Sequence, residues 1–162
     1  MADFTITPYH PKYQPRFYAL NQAWIEQFYV MEEEDKQFLA DPESHIIAKD
    51  GEIFFLLEGD EVMGCCGVMK MGDGVYELVR MAVDERARGK GYGVALIEHA
   101  IEWTKTKKAS QLILETGIHN NAAVALYSKL GFEHYTPDPK HRSGLERATV
   151  FMHMKLTDAQ AA

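Results

Sequence analysis

The order of hydrophobic and polar residues divides the chain into short apolar segments separated by turns. Seven segments have the alternation, or the continuous apolar run, that is typical of β-strands. These predicted strands cover residues 4–7, 52–58, 62–70, 75–83, 111–116, 133–135 and 148–156. We also expect residues 46–49 to add a brief strand. Because the turns at Gly59-Asp60 and Gly72-Asp73-Gly74 are short, they predict hairpins and an antiparallel meander.

Apolar residues at helical spacing occupy most of the remaining sequence. Four helices are predicted, over residues 13–29, from the acidic residues 32–35 onwards, over 91–107 and over 122–130. In the third helix, for example, Val94, Ile97 and Ile101 recur on one stripe. Since this helix lies between two strands, those strands should pair in parallel. The sequence therefore predicts an α+β fold with a mixed, mainly antiparallel sheet of about seven strands and about four helices.

Length and charge limit the possible functions. A chain of 162 residues is typical of one domain, and we expect a single domain over residues 1–162. The first residues show no secretory signal, and no apolar run approaches the roughly 20 residues of a membrane span. We therefore expect a cytoplasmic protein with no membrane partner. A net charge of −7 at pH 7 argues against nucleic-acid binding, which requires a basic face.

The two cysteines of the sequence, Cys65 and Cys66, are adjacent in a predicted strand. Their side chains should point to opposite faces of the sheet, which argues against a disulfide framework. We expect both to be small, half-buried core residues. No metal site is expected, since none of the seven histidines pairs with a cysteine or carboxylate at metal-ligand spacing.

The segment from residue 77 to residue 93 contains the strongest candidate for a binding site. A strand is followed by the charged loop 84–90 and by a helix that begins near Gly91. Backbone N–H groups in the first turn of a helix have no internal partner, and the helix dipole makes this end positive. Arg86, Arg88 and Lys90 add positive charge at the same place. The expected ligand is a phosphate or pyrophosphate.

Glycine spacing distinguishes three kinds of phosphate-binding turn. A P-loop requires Ser or Thr after Gly-Lys, but Lys90 is followed by Gly91. A dinucleotide-binding turn requires G-x-G-x-x-G, whereas Gly89, Gly91 and Gly93 give G-x-G-x-G, so this alternative is weaker but stays open. Arg88, Gly91 and Gly93 match R-x-x-G-x-G without a gap. Here the chain resembles the GNAT superfamily of acyl-CoA N-acyltransferases.

Two further blocks carry the same resemblance. Asn120 and Ala123, followed by residues 126–132, are similar to the family's N-x-x-A-x-x-L-Y-x-K-x-G-F helix. Glu77 lies eleven residues before Arg88, on the strand that precedes the loop. The resemblance spans almost the whole chain and implies the GNAT fold. The chain is also similar to the acetyltransferase half of winged-helix fusion regulators, but no DNA-reading helix pair is left over, so we expect no DNA binding.

The resemblance implies acetyl-CoA or another acyl-CoA as the cofactor. Backbone N–H groups from Gly89 to Val94 would hold its pyrophosphate, and the pantetheine arm would pair with the preceding strand. Asn120 would hydrogen-bond this arm; the alternative is that Asn120 only caps a helix. The expected cofactor-binding residues are Met81, Ala82, Val83, Arg88, Gly89, Lys90, Gly91, Tyr92, Gly93, Val94, Asn120, Ala123 and Tyr127.

Two residues, Glu77 and Tyr127, match catalytic positions of the family. An acceptor amine with a pKa near 10.4 is neutral in only about one molecule in 10³ at pH 7, so a general base is useful. Glu77 matches the base; the alternatives are a carboxylate without catalytic duty, or Glu115 as the base. Tyr127 matches the tyrosine that protonates the departing thiolate; the alternative is an aromatic residue that only packs.

The implied reaction is transfer of an acetyl group from acetyl-CoA to a primary amine, by direct attack in a ternary complex. The alternative is an acyl-CoA-binding sensor without turnover. The acceptor, a small-molecule or peptide amine, is not fixed by any motif, and the resemblance allows a homodimer.

We expect the acidic residues 32–35 to be a solvated helix start, or else to attract a cationic acceptor. Trp24, Phe28 and Tyr29 are expected in the core; the alternative is that they form the wall of the acceptor pocket. Arg142 and Arg147 are expected as solvated loop charges; the alternative is that they contact a carboxylate of the acceptor.

Overall fold

A mixed sheet forms the centre of the protein, and the computed structural model describes residues 3–156. The strands in this range are β1 (Thr5–Pro8), β2 (Glu52–Glu58), β3 (Glu61–Gly72), β4 (Val75–Val83), β5 (Gln111–Thr116), β6 (Glu133–His134) and β7 (Val150–Lys155). Their spatial order is β1-β2-β3-β4-β5-β7-β6. All neighbours are antiparallel except β4 and β5, which are parallel. The predicted fold class is confirmed.

Helices cover both faces of the sheet. Those in the described range are α1 (Gln14–Ile25), α2 (Glu33–Ala40), α3 (Pro42–His45), α4 (Tyr92–Thr106) and α5 (Asn121–Lys129). Short 3₁₀ turns lie at Pro11–Tyr13, Ile47–Lys49, Glu85–Ala87 and Pro139–His141. The four predicted helices are present, and the single-turn α3 is additional. Among the described helices, none combines the length and hydrophobicity needed to span a bilayer.

The brief strand expected at residues 46–49 is wrong. Asp41 accepts a hydrogen bond from the Ser44 N–H at 3.3 Å, and Pro42 occupies the first helical position. Both features favour a helix start, so the residues just before this segment, Pro42–His45, form α3. The Ile46 N–H then donates to the Pro42 carbonyl at 2.8 Å, which satisfies the backbone locally and leads into a 3₁₀ turn.

The first helix is shorter than predicted. It ends at Ile25, where the backbone leaves the helix in a turn. Phe28 therefore does not continue the stripe that begins at Phe17; its side chain is 63% exposed and stacks on His119. Trp24 is half-buried beside a cleft rather than enclosed in the core.

Alternation along the strands divides the core into two layers. Phe54 of β2 packs with α4 residues such as Leu96, whereas its neighbour Phe55 packs with Phe17 of α1. The continuous apolar run of β2 therefore supplies both layers.

Cys65 and Cys66 follow the same alternation. Cys65 lies in the layer under α1, and Cys66 lies in the layer under α4, as predicted. Both are free thiols and fully buried, rather than half-buried. Burial raises the pKa of Cys65 to about 12 and also raises that of Cys66, so both stay protonated.

The parallel strands β4 and β5 are hydrogen-bonded to each other over a short distance. Its register runs from Val75 with Gln111 to Glu77 with Ile113. Beyond these positions β4 continues along β3, and β5 continues along β7. The two strands therefore diverge after Glu77 and leave a gap in the middle of the sheet.

Candidate active site

A cleft of about 470 Å³ lies where β4 and β5 diverge. Its lining includes Trp24, Phe38, Glu77, Arg80, Asn120 and Tyr127, which come from α1, α2, β4 and α5 and from the turn before α5. The gap in the sheet thus brings together side chains that are far apart in the sequence. Both predicted catalytic residues, Glu77 and Tyr127, lie in this lining.

A β-bulge shapes the β4 wall of the cleft. β3 and β4 pair Cys65 with Ala82 and Gly67 with Val79, so one β3 residue opposes two β4 residues, Arg80 and Met81. Arg80 has a φ of 54°, which non-glycine residues rarely adopt. Such a bulge turns a side chain away from the face that strict alternation would give it.

Glu77 is a buried carboxyl group at the point of divergence, with an exposed fraction of 6%. Its neighbours Tyr76 and Leu78 pack in the layer under α4, so Glu77 points to the opposite face of the sheet. Burial raises the pKa of Glu77, and the negative charge of Glu115 raises it further. The positive charge of Arg80 acts in the opposite direction but is weaker, so the pKa is about 8. A carboxyl with this pKa can exchange a proton near neutral pH.

Glu115, the alternative base, lies on β5 beside the same cleft. Its Oε2 accepts a hydrogen bond from the Ser143 N–H at 2.8 Å. Glu115 therefore helps to fix the loop before β7, while its charge acts on Glu77.

Three predicted residues of α5 and its start share one face. Asn120, Ala123 and Tyr127 are spaced by three and four positions, and all line the cleft. Tyr127 is buried and packs edge-on against Phe132 at 5.7 Å. Burial, reinforced by Cys66, raises the pKa of Tyr127, so its hydroxyl stays protonated at neutral pH.

Asn120 does not act as a side-chain helix cap. It precedes α5, but no capping hydrogen bond forms from its side chain. Its Nδ2 instead donates to Thr116 Oγ1 at 3.0 Å. The side-chain carbonyl of Asn120 can therefore face the cleft.

The turn before α4, residues 88–93, is termed the phosphate loop below. Gly89 and Gly91 have φ values of 81° and 80°, and a Cβ atom at either would meet open space. Gly91, which precedes α4, has no side chain to cap the first N–H groups of the helix. Open backbone donors with no Cβ in front of them fit a pyrophosphate. Residues 81–83 of β4 lie beyond its pairing with β5 and can receive an extended chain.

The positively charged side chains near the phosphate loop differ in how free they are to bind a phosphate. Arg86 binds Asp84 and Glu61, and Lys90 binds Glu58 at 2.8 Å. Arg88 takes part in no ion pair within residues 3–156. Tyr92 is buried, and its hydroxyl donates a hydrogen bond to Glu58. Only the backbone of Tyr92 can therefore contact a ligand in the phosphate loop.

A charge cluster of Asp35, Arg80 and Arg147, absent from the sequence predictions, lies beside Glu77. Asp35 is fully buried; it accepts a hydrogen bond from Arg80 Nη1 at 2.7 Å and two from Arg147. Burial alone would raise its pKa, but the hydrogen bonds from Arg147 and Arg80 outweigh burial and lower it to about 2. The expectation of solvated charges is wrong for Asp35 and Arg147.

One sequence signal could have revealed this cluster. Asp35 lies four residues before Leu39, and both side chains are fully buried. In a helix that spacing places them on the same face, which here is the apolar one. A carboxylate on the apolar face of a helix requires a cation.

Comparison with known proteins agrees with this geometry. The sequence profile of the acetyltransferase (GNAT) family matches residues 17–132, and the chain belongs to that family. It is 30% identical over 133 residues to YobR of Bacillus subtilis, an uncharacterised N-acetyltransferase, covering 78% of this chain and 51% of YobR. The chain spans between about a third and two thirds of the lengths of the first curated relatives it matches.

Solved structures share the fold. A GNAT acetyltransferase from Staphylococcus aureus Mu50 superposes with a TM-score of 0.87 at 18% identity, over 95% of this chain and 99% of that one. N-acetylglutamate synthase from Neisseria gonorrhoeae, solved with coenzyme A and N-acetyl-glutamate, has a TM-score of 0.73 at 17% identity, over 96% of this chain and 36% of that one.

The predicted family and fold are confirmed. The dinucleotide-binding alternative is wrong, because β1 to β4 form an antiparallel meander rather than a parallel sheet with crossover helices. The likeness to fusion regulators and the single domain over residues 1–162 stay predictions; residues 1–2 and 157–162 lie outside the described range.

Proposed function

We propose that the protein is an N-acetyltransferase that moves the acetyl group of acetyl-CoA to a primary amine by direct attack in a ternary complex. The observation that carries the proposal is Glu77. Its buried carboxyl, with a pKa of about 8, lies in a cleft at the divergence of β4 and β5, and the cleft is shared with Tyr127.

The cofactor end of the cleft is formed by the phosphate loop and by residues 81–83. The N–H groups at the start of α4 would hold the pyrophosphate, and Arg88, which has no ion pair within residues 3–156, would add a positive charge. The amide of Asn120 and the backbone of β4 would hold the pantetheine arm, and Ala123 leaves room for it on α5. When bound, the cofactor supplies an acetyl thioester that an amine can attack.

Glu77 prepares the amine for this attack. The pKa of an alkylamine, near 10.4, leaves it protonated, and making it neutral at pH 7 costs roughly 4 to 5 kcal/mol. A carboxylate whose pKa is near 8 accepts that proton more readily than an ordinary glutamate. Glu77 Oε therefore takes the proton from the nitrogen, directly or through one water, as the N–C bond forms.

Tyr127 serves the leaving group. Its hydroxyl remains protonated because burial disfavours the phenolate. Oη can therefore donate its hydrogen to the sulfur as the C–S bond breaks, and then recover a proton from solvent. Glu115 is the weaker candidate base, since one of its oxygens is already bound by the Ser143 N–H.

A cytoplasmic location is part of the proposal. Both cysteines are free thiols, which suits a reducing compartment. The acceptor, a small-molecule or peptide amine, meets the wall of the cleft formed by Glu77, Arg80 and Arg147.

The test combines binding with turnover. The protein is titrated with coenzyme A by calorimetry and then incubated with acetyl-CoA and a broad amine panel, while free thiol and product mass are followed. We expect both binding and thiol release that depends on the amine. Tight binding without turnover on the whole panel would favour the sensor alternative, and absence of binding would refute both.

A further inference from the structure

Arg80 lies on the same side of the sheet as Glu77 because of the bulge. Along a regular strand, two residues three positions apart point to opposite faces. Here Val79 packs in the layer under α1, and the next residue, Arg80, also reaches that side, where its guanidinium stacks on Phe38 at 4.7 Å. A strained φ of 54° at Arg80 maintains this arrangement. Strain of this kind is often kept where function requires it.

The two arginines of the charge cluster differ in their unused donors. Arg147 directs both Nη atoms to Asp35, and one of them also to Glu32 at 3.4 Å. Arg80 uses Nη1 for Asp35, and its Nε and Nη2 have no hydrogen-bond partner within residues 3–156. The side chain of Arg80 is 12% exposed and lines the cleft. It therefore presents a nearly buried donor edge that an anion can satisfy.

We propose that Arg80 binds a carboxylate of the acceptor, so that the substrates of this site are amino acids or other small amines that carry a carboxylate. The inference rests on the proposed N-acetyltransferase function. The acceptor nitrogen lies at Glu77 and the carboxylate at Arg80, which the bulge brings to the same side of the sheet. Asp35 and Arg147 position the guanidinium. Arg147 also pairs with Glu32 at 3.4 Å, so the charges of these four residues balance, and the unused donors of Arg80 are what the ligand carboxylate can bind.

The competing acceptor class is the polyamines. Glu34 and Glu115 also line the cleft and would attract a second ammonium group. Arg80 disfavours this class, because a cation placed against its open edge would be repelled and would leave the Nε and Nη2 donors unsatisfied. The observations therefore favour the carboxylate.

The experiment compares acceptors with and without the anion, with each kcat/KM referred to the neutral fraction of that amine at the assay pH. Glycine, β-alanine and 4-aminobutyrate are each assayed beside the corresponding amide and the alkylamine of equal length, together with spermidine. We expect kcat/KM for the best carboxylate to exceed that of its amide by roughly 10- to 100-fold. Arg80→Met should bring this ratio close to one, and Arg80→Lys should retain part of it. Arg142→Met, which removes an exposed arginine stacked on Phe151, should keep the wild-type ratio.

Calorimetry provides a readout that does not need turnover. The N-acetyl derivative of at least one of the three carboxylates should bind the coenzyme A complex of the wild type. The same derivative should bind at least 10-fold more weakly after Arg80→Met, with the affinity for coenzyme A unchanged. Equal rates for amides and carboxylates, a preference for spermidine, or a carboxylate preference that survives Arg80→Met would each overturn the proposal. Absence of turnover with every amine would contradict the acetyltransferase function instead, and product binding would still decide the role of Arg80.

Discussion

The two ends of the cleft bind by different chemistry. In the phosphate loop the binding groups are backbone N–H groups, exposed by two glycines with positive φ, while the nearby Lys90 is already held by Glu58. At the acceptor end the groups are side chains, namely Glu77, Arg80 and Arg147. A backbone site tolerates changes of its side chains, whereas a side-chain site does not. Single substitutions should therefore have large effects at the acceptor end and small effects in the loop.

The largest effect is expected for Glu77→Gln. Loss of the general base should lower kcat/KM by roughly 10²- to 10⁴-fold and flatten the acid limb that we expect for the wild type below about pH 8. Both proteins are assayed with one acceptor over a pH series, so that the titration of the amine is common to both. An acid limb unchanged in the variant would assign the base to Glu115 or to solvent.

The same substitution should change how stability depends on pH. Since the pKa of Glu77 rises from 4.5 to about 8 on folding, the folded protein binds more protons between these values. Its stability therefore falls as pH rises through this window. Glu77→Gln should raise the Tm relative to wild type at pH 9 and have little effect at pH 4. Equal Tm differences at both pH values would show that Glu77 is not perturbed.

Asp35→Asn should have the next largest effect. The substitution leaves two nearly buried guanidinium groups without their carboxylate, at an expected cost of roughly 3 to 5 kcal/mol in the free energy of unfolding. Glu33→Gln is the matched control, because Glu33 lies in the same helical turn but is exposed. Chemical denaturation measures both variants. Similar small losses would mean that the cluster contributes little to stability.

Tyr127→Phe probes the part of the cleft between the cofactor end and the acceptor end. We expect kcat to fall by roughly 10- to 10³-fold, as for lost acid catalysis, with little change in the affinity for coenzyme A. Stopped-flow detection of thiol release, together with calorimetry, separates the two quantities. If kcat is unaltered, Tyr127 is an aromatic packing residue.

In the phosphate loop, Gly91→Ala should have a moderate effect. A side chain at a φ of 80° costs roughly 1 to 2 kcal/mol, and the new methyl group enters the space in front of the N–H groups. Gly59→Ala is the control, since Gly59 has a φ of 59° and equally open surroundings, but lies in the β2–β3 turn. Both should lose stability, and Gly91→Ala alone should weaken coenzyme A binding.

The smallest effects are expected for the loop cations. Arg88→Gln should weaken coenzyme A binding by roughly two- to fivefold, with less effect at high salt. Lys90→Gln should change it less, because Glu58 already neutralises Lys90. If Lys90→Gln proves the more damaging, then Lys90 leaves Glu58 when the cofactor binds.

The sequence by itself determined the meander, the crossover helix and the phosphate loop, because turn glycines and helical spacing act within a few residues. The resemblance of its motifs to the GNAT family also made Glu77, Asn120 and Tyr127 candidate site residues. The pKa of Glu77 was decided by the tertiary structure, since it depends on burial and on Glu115 of another strand. The tertiary structure also decided the charge cluster, in which Asp35 binds Arg147, a residue 112 positions further along the chain. Such contacts depend on long-range packing, which local patterns do not encode.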